Sequence, residues 1–338
     1  MMKKIVTLMS CFLVQLSWAA ESPFLGVGVV VDDIPSALPA YQQALGIKQW
    51  KYIDLNVASG AIRMARAEFK GKHFDLLQPL YGQSKVADFL AQRGPGIFHV
   101  QVAPDYLQDQ AAKRLATLEM ATSDNSHLTN SKPYQQTWLD SYAQLGVYLS
   151  SSESSPKKNQ FWGVADVTEE QASAPLDNAR LAQIGIVVAS ADKTAKAWKQ
   201  LLGLGPWLFV DFKPPMTSNG QYLGAVGQAY SEVHVAYGQW FDLQIELLQP
   251  VAGPTPHRDY LRRYGNGAHH FSLGRLPEHD QLQAHLQSAG IQLQMQSDNG
   301  GEGRTATYMA SEKELGWVLE FTKAFKGLGS LKVVKQLP

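Results

Sequence analysis

Four side chains in the second half of the chain offer the donors of a divalent-metal site: Gln183, Glu246, His270 and Glu320. An amide oxygen, an imidazole and two carboxylates suffice to hold a cation and leave room for water or substrate. Without a cation, two carboxylates on one concave surface repel, so metal binding lowers the cost of placing them there. A metal bound to two neighbouring substrate oxygens stabilises an enolate as it forms. A carboxylate beside it can move the proton, a general-base step worth roughly 10²–10⁴-fold. Glu320 is the first choice for that base and Glu246 the second; otherwise both stay ligands and a water moves the proton. The bland alternative is four solvated polar residues on an exposed sheet face.

The elements that must position these residues read as strands. In a strand, residues i and i+2 share a face. Over Gln183–Val188, Ile184, Ile186 and Val188 form a helix-packing side, leaving Gln183 on the other. Over Leu243–Leu248 the apolar side is Leu243, Ile245 and Leu247, so Glu246 points away; Phe271 and Leu273 leave His270 opposite, and Leu319 and Phe321 leave Glu320 opposite. Further strands are predicted near Trp207–Phe212, Glu232–Tyr237, Ile291–Gln294 and Thr305–Met309, with helices over Ala191–Leu202 and Glu278–Ser288. That order is βαβββ twice in the second half, an α+β architecture with rolled mixed sheets.

The first half repeats the pattern. Phe24–Val31 aligns with Gln183–Ser190, and Gln-Ala-Leu-Gly46 with Gln-Leu-Leu-Gly203. Phe74-Asp-Leu-Leu-Gln-Pro79 returns as Ile245-Glu-Leu-Leu-Gln-Pro250, and Gly94-Pro-Gly-Ile-Phe-His99 as Gly265-Asn-Gly-Ala-His-His270. Asp75 to His99 and Glu246 to His270 both span 24 residues. The chain is therefore expected to be a tandem duplication of four βαβββ units. In this alignment Phe24 stands where Gln183 stands, and the fourth donor position falls near Gln160 or Phe161. The first half is thus a degenerate copy, with Asp75 and His99 as a structural pair or a residual weak site, packed on the second half and walling its cavity.

Residues 1–19 read as an export signal: Lys3 and Lys4, an apolar stretch from Ile5 to Leu16, then Ser17-Trp18-Ala19 before cleavage. The expected organisation is signal 1–19, degenerate domain 20–167, linker 168–178, metal-bearing domain 179–326 and tail 327–338. The destination is periplasmic or secreted. Cys11, the single cysteine, falls within the signal, so no disulfide or cysteine-based zinc site is available. Lys+Arg and Asp+Glu both total 30. That balance gives no basic excess to draw nucleic acid or an anionic membrane. No apolar run is long enough for an integral membrane span.

Glu246-Leu-Leu-Gln-Pro250, Gly265-Asn-Gly-Ala-His-His270 and Val318-Leu-Glu320 resemble the signature blocks of the vicinal oxygen chelate superfamily, the glyoxalase, bleomycin-resistance and methylmalonyl-CoA epimerase-like group. The resemblance covers nearly all of the mature chain. It implies one divalent ion, Zn, Mn, Fe, Co or Ni, on Gln183, Glu246, His270 and Glu320, the donor order of zinc-type glyoxalase I. It implies an isomerase, epimerase or lyase working by proton transfer alpha to a carbonyl. The alternative is a non-catalytic small-molecule binder of the bleomycin-resistance type. An extradiol-type dioxygenase ranks lower, because its two-His-one-Glu set finds only His270 at a ligand position, with His269 on the helix side. Two departures bear on the substrate: Gln183 is followed by Ile-Gly-Ile-Val-Val, without the arginine that holds glutathione in glyoxalase I, and an exported protein rarely meets acyl-CoA. Because the duplication supplies the pairing that single-copy relatives obtain by dimerising, a monomer is expected.

Asp211–Gln228 is expected to be a cover over the cavity. Trp207, Phe209, Phe212, Tyr222, Trp240, Tyr308 and Trp317 serve core packing or line a site for an apolar or ring-bearing small-molecule substrate. His257, with Arg258, Arg262 and Arg263, is read as a solvated helix face, or as a site for an anionic group. His73, His127, His234, His279 and His285 are read as surface or strand residues without ligand spacing.

Overall fold

The first helix of each half starts and stops by the same local chemistry. The Asp33 carboxylate accepts from Ser36 N at 2.9 Å, and the Ser190 hydroxyl accepts from Lys193 N at 3.3 Å. Both helices, Ile34–Leu45 and Ala191–Leu202, end at a left-handed glycine, Gly46 and Gly203, each at φ 68°. In this computed structural model the described residues are 22–57, 59–107, 122–126, 136–152, 161–167, 174–214, 217–226, 231–299, 305–323 and 332–338. The expected export signal, linker residues 168–173 and His127 lie outside them.

The first half holds strands β1 (Phe24–Val30), β2 (Gln49–Val57), β3 (Ser59–Phe69), β4 (Lys72–Gln83), β5 (Gly96–Val102), β6 (Thr122–Ser126), β7 (Gln136–Leu139), β8 (Tyr148–Ser152) and β9 (Gly163–Asp166). The second holds β10 (Gln183–Val187), β11 (Trp207–Phe212), β12 (Thr217–Tyr222), β13 (Ala225–Val226), β14 (Glu232–Trp240), β15 (Leu243–Ala252), β16 (Gly267–Leu276), β17 (Leu293–Asn299), β18 (Thr305–Met309), β19 (Val318–Lys323) and β20 (Val333–Leu337). One sheet runs β6-β7-β8-β5-β1-β4-β3-β2-β9, the other β13-β12-β17-β18-β19-β16-β10-β15-β14-β11-β20. In both, the first strand of one βαβββ unit lies antiparallel to the first strand of the next and parallel to its own last strand. This is the expected α+β tandem architecture with curled mixed sheets.

Three features add to or depart from the sequence reading. Within Asp211–Gln228, the expected cover, the described residues 217–226 form a β12–β13 hairpin, and β12 pairs with β17 of the following unit. Strands β11 and β12 are neighbours in sequence but lie near opposite ends of one sheet, so the chain between them must span the curled sheet. The tail also carries β20, which adds antiparallel to β11 as β9 adds to β2, so both halves finish on the same edge. Finally, the register moves the repeat by two residues. Gly28 pairs with both Asp75 and His99, as Gly185 pairs with both Glu246 and His270. Gly26, not Phe24, therefore occupies the Gln183 position.

The two halves share one hydrophobic core. Phe74 meets Phe271 and Trp317 edge-on or tilted, at ring separations of 6.2 and 6.3 Å. The buried Tyr41 hydroxyl donates to Leu315 O at 2.6 Å and accepts from Trp317 Nε1 at 3.2 Å. Arg93 reaches Tyr264 O and Asn266 O at 2.6 and 2.7 Å, and Ala268 N donates to Gly146 O at 2.9 Å. Buried apolar surface of this kind contributes roughly 25 cal/mol per Å², which ties the first half mechanically to the strands that carry the second site. Among the described residues no helix is long and apolar enough to cross a membrane.

Candidate metal centre

Strands β10, β15, β16 and β19 lie side by side and bring three of the four expected donors together. Glu246 Oε2 lies 3.1 Å and Glu320 Oε2 3.4 Å from His270 Nε2. The three residues are 4%, 5% and 0% exposed, so bulk water does little to screen their charges. Gly185 makes room for the imidazole: a Cβ there would stand 1.9 Å from His270 Cε1. The fourth expected donor, Gln183, lies two residues before Gly185 on the same face of β10. Its amide nitrogen donates to Gln244 Oε1 at 2.7 Å.

Electrostatics here run against ordinary burial. Desolvation depresses the His270 imidazolium, but the hydrogen bond to Glu246, the close approach of Glu320 and the charges of both outweigh it and push its pKa up to about 9. Burial raises the Glu246 carboxyl, opposed by the His270 hydrogen bond, and Tyr237 also hydrogen-bonds it. Burial, with the charges of Glu320 and Glu246, lifts the Tyr308 hydroxyl well above its ordinary range, so it stays protonated and hydrogen-bonds Glu320. Glu320 Oε2, although buried, makes no aligned hydrogen bond among the described residues, its near contact being His270 Nε2 at 3.4 Å. A buried carboxylate oxygen so weakly satisfied, beside a second carboxylate and an imidazole, suits a cation. The observed N···O spacings are also close to the ~3.0–3.4 Å between ligands about 2.1 Å from a shared ion.

His257 and His269 correct the sequence reading. Strand β16 bulges at this point: His270 pairs with Gly185 and Ala268 with Ile186, so His269 is skipped in the ladder. The bulge cancels the alternation, and His269 Nδ1 lies 3.1 Å from His270 Nδ1. The helix Pro256–Tyr264 packs over the bulge, with the Tyr260 ring 5.1 Å from that of His269. Its first turn buries His257 to 2% exposure, while Arg258, Arg262 and Arg263 stay exposed as expected. The His257 ring lies 5.2 Å from His269, 6.0 Å from His270 and 5.4 Å from Tyr308. Burial drives its pKa down to about 3. His279, expected at the surface or in a strand, is instead a buried helix residue 2.8 Å from Thr307 Oγ1.

In the first half the same places are filled differently. Strand β8 puts Ser150 opposite Gln101, as β19 puts Glu320 opposite Ser272, so Ser150 rather than Gln160 or Phe161 is the fourth position. Asp75 is not paired with His99: Arg66 grips it with two bonds of 2.7 Å. His99 Nδ1 accepts from Trp138 Nε1 at 3.0 Å.

Residues 182–308 match the family model described as the Glyoxalase/Bleomycin resistance protein/Dioxygenase superfamily. That match lies wholly within the second half. Among solved structures, a triple mutant of 4-hydroxymandelate synthase from Streptomyces coelicolor is similar at 12% identity and TM-score 0.54, over 91% of this chain and 94% of that one. A xylose isomerase-like TIM barrel/4-hydroxyphenylpyruvate dioxygenase fusion protein is similar at 13% identity and TM-score 0.51; 91% of this chain aligns with 50% of that one. A Mn(II)-bound glyoxalase from Novosphingobium aromaticivorans aligns at 12% identity and TM-score 0.47, over 89% of this chain and 82% of that one. No curated protein sequence matches. At these identities the likeness concerns the fold, and the first two alignments span both halves of this chain.

Proposed function

We propose that the second half is the working half of an exported, monomeric, divalent-metal enzyme, an isomerase, epimerase or lyase. It moves a proton alpha to a carbonyl of a small apolar or ring-bearing molecule. The observation that carries this reading is the buried convergence of Glu246, His270 and Glu320, with one carboxylate oxygen left without an aligned hydrogen bond. Glu246, His270 and Glu320 would hold the ion, and Gln183 would complete the set by releasing Gln244. The ion would supply Lewis-acid neutralisation of charge developing on substrate oxygens.

The remaining work falls to the chain's own side chains. Glu320 is the first candidate to accept the proton, because its Oε2 makes no aligned hydrogen bond and Tyr308 holds the carboxylate in place. Glu246, oriented by Tyr237, is the second. By register, Val235 and Leu248 share the Glu246 face, and Ala306 and Val318 share the Glu320 face, giving apolar walls that suit such a substrate. The β12–β13 hairpin, tied to the helix Pro256–Tyr264 by Tyr222 donating to Asp259 Oδ2 at 2.5 Å, would limit water entry.

Metal analysis of the purified protein and of Glu320→Gln tests the reading. The parent should carry stoichiometric metal and the variant should bind it about 100-fold more weakly or worse. Incubating a panel of apolar ketones and oxo acids in deuterium oxide should then label the alpha carbon with the parent only. Metal without labelling would leave a sequestering protein of the bleomycin-resistance type, and no metal in either protein would end the proposal.

A further inference from the structure

Beside the carboxylate site lies a second cluster, which shares His270 with it and adds two histidines that the site does not use. Ligating atoms of His257, His269 and His270 lie within 4.8 Å of one another, and all three side chains are buried. Neither ring nitrogen of His257 has a hydrogen-bond partner among the described residues. A buried imidazole with two unsatisfied nitrogens costs roughly 1–3 kcal/mol per unmade bond. A leucine or phenylalanine in that first helical turn would fill the same space without the loss. The His269 Nδ1 to His270 Nδ1 separation of 3.1 Å is near the ~3.4 Å between two nitrogens about 2.1 Å from one tetrahedral ion. The His270 ring has two ends, with Nε2 facing Glu246 and Nδ1 facing His269.

We propose that His257, His269 and His270 Nδ1 form a second cation position, which shares the His270 ring with the carboxylate site and takes a borderline divalent ion of the zinc type. Three imidazoles without a carboxylate select nitrogen-loving ions over magnesium or calcium. The bulge in β16 creates the position by putting two consecutive histidines on one side, and the helix Pro256–Tyr264 supplies the third from above. Binding displaces the proton shared by the two Nδ1 atoms to solvent. When both positions are filled, the proton on Nε2 has left as well, and His270 bridges as an imidazolate. The proposal stands without the catalytic reading, because its three ligands can hold an ion whether or not Glu246 and Glu320 do.

Zinc titration of the metal-stripped full-length chain, read by calorimetry and elemental analysis, tests it. Parent protein should bind two equivalents, and His257→Phe and His269→Gln one each. Glu246→Gln with Glu320→Gln should also leave one. Cobalt in the doubly carboxylate-depleted protein should give the visible d–d absorption of a nitrogen-ligated ion, which His257→Phe removes. His257→Phe guards against misfolding, since it deletes two unsatisfied nitrogens and should leave the metal-free melting temperature unchanged or higher. One equivalent in the parent, retained in both histidine variants and lost with the carboxylates, would overturn this inference and leave the proposed function intact. One equivalent lost in the histidine variants and indifferent to the carboxylates would support the histidine position and sink the carboxylate site instead.

Discussion

Two copies of one scaffold hold their central histidine in the same way and give it opposite character. Gly28 lies under His99 as Gly185 lies under His270, and each glycine is flanked by an acidic residue from the parallel strand, Asp75 or Glu246. His99 is driven down to about 4, chiefly by burial, while His270 is pushed up to about 9. The cause lies in four neighbouring exchanges. Where the second half has Tyr237 opposite Glu246, the first has Arg66 opposite Asp75; where the second has Glu320, the first has Ser150. Tyr308 is replaced by Trp138, and Gln183 by Gly26. The first copy neutralises its single carboxylate internally with a guanidinium. The second sets two carboxylates against the single His270 imidazolium, so one negative charge is left open to an ion from solution.

Removing the internal cation should have the largest effect. Arg66→Met leaves Asp75, 0% exposed, as an unpaired buried charge, and should cost about 3–5 kcal/mol of stability by denaturant unfolding. Arg66→Met with Asp75→Leu should regain most of that loss, since a buried pair replaced by apolar groups of similar volume is close to neutral. If the double variant were as unstable as the single, Arg66 would matter for packing rather than for charge.

The two histidines should bend the pH–stability curve of the metal-free protein at opposite ends. For His99, folded pKa about 4 against 6.5 unfolded, the unfolded chain binds the extra proton, so stability is full above pH 6.5 and falls as pH drops toward 4. For His270, folded pKa about 9, the folded chain binds it, so the contribution is full below pH 6.5 and is lost as pH rises through 9. Each swing is worth about 3 kcal/mol. Chemical denaturation between pH 4 and 10 should show a flatter acid limb in His99→Gln and a flatter alkaline limb in His270→Gln. The same limb changing in both variants would show that the two environments are not opposed.

A smaller effect is expected where the scaffold clears space for each ring. A Cβ on Gly28 would stand 2.3 Å from His99 Cε1, and one on Gly185 1.9 Å from His270 Cε1. Gly28→Ala should cost about 1–3 kcal/mol of stability and leave metal content alone. Gly185→Ala, at a similar cost, should also lower the metal content, because the displaced ring is a ligand in the proposed site. Equal metal content in the two variants would separate His270 from the ion.

Much of this was legible in the sequence because period-two alternation fixes the face of each strand residue before any packing is known. Glu246, His270 and Glu320 were placed that way, and the tandem architecture followed from repeated blocks. What alternation could not supply was register across irregularities. Strand β1 is paired irregularly with β5, and apolar runs align equally well two residues apart, so Phe24 took the place that belongs to Gly26. The bulge in β16 hid His269 for the same reason. His257 was masked by the arginines that follow it, since one buried position in a helix's first turn leaves little periodicity. The fourth position of the first half did have a signal. Ser141-x-x-x-Leu-Gly-x-x-Leu149 repeats as Ser311-x-x-x-Leu-Gly-x-x-Leu319, and in each the serine hydroxyl accepts from that last leucine's N–H at 2.9 Å. The residue after the motif is Ser150 in one copy and Glu320 in the other.

The smallest expected effect is the most informative about what an arginine-to-tyrosine exchange means on this scaffold. Tyr237 and Arg66 occupy matching places, and each hydrogen-bonds the acidic residue opposite. Tyr237→Phe deletes one neutral donor and no charge, so metal-free stability should fall by about 1 kcal/mol. Metal affinity should fall no more than about 10-fold, because Glu246 stays in place and loses only a partner that orients it. Unfolding and zinc titration on the one variant read both quantities. A loss of 3–5 kcal/mol, matching Arg66→Met, would mean that the acidic residue needs its neighbour equally in both halves. The second copy would then be satisfied from within, and the case for an external cation would lose its physical ground.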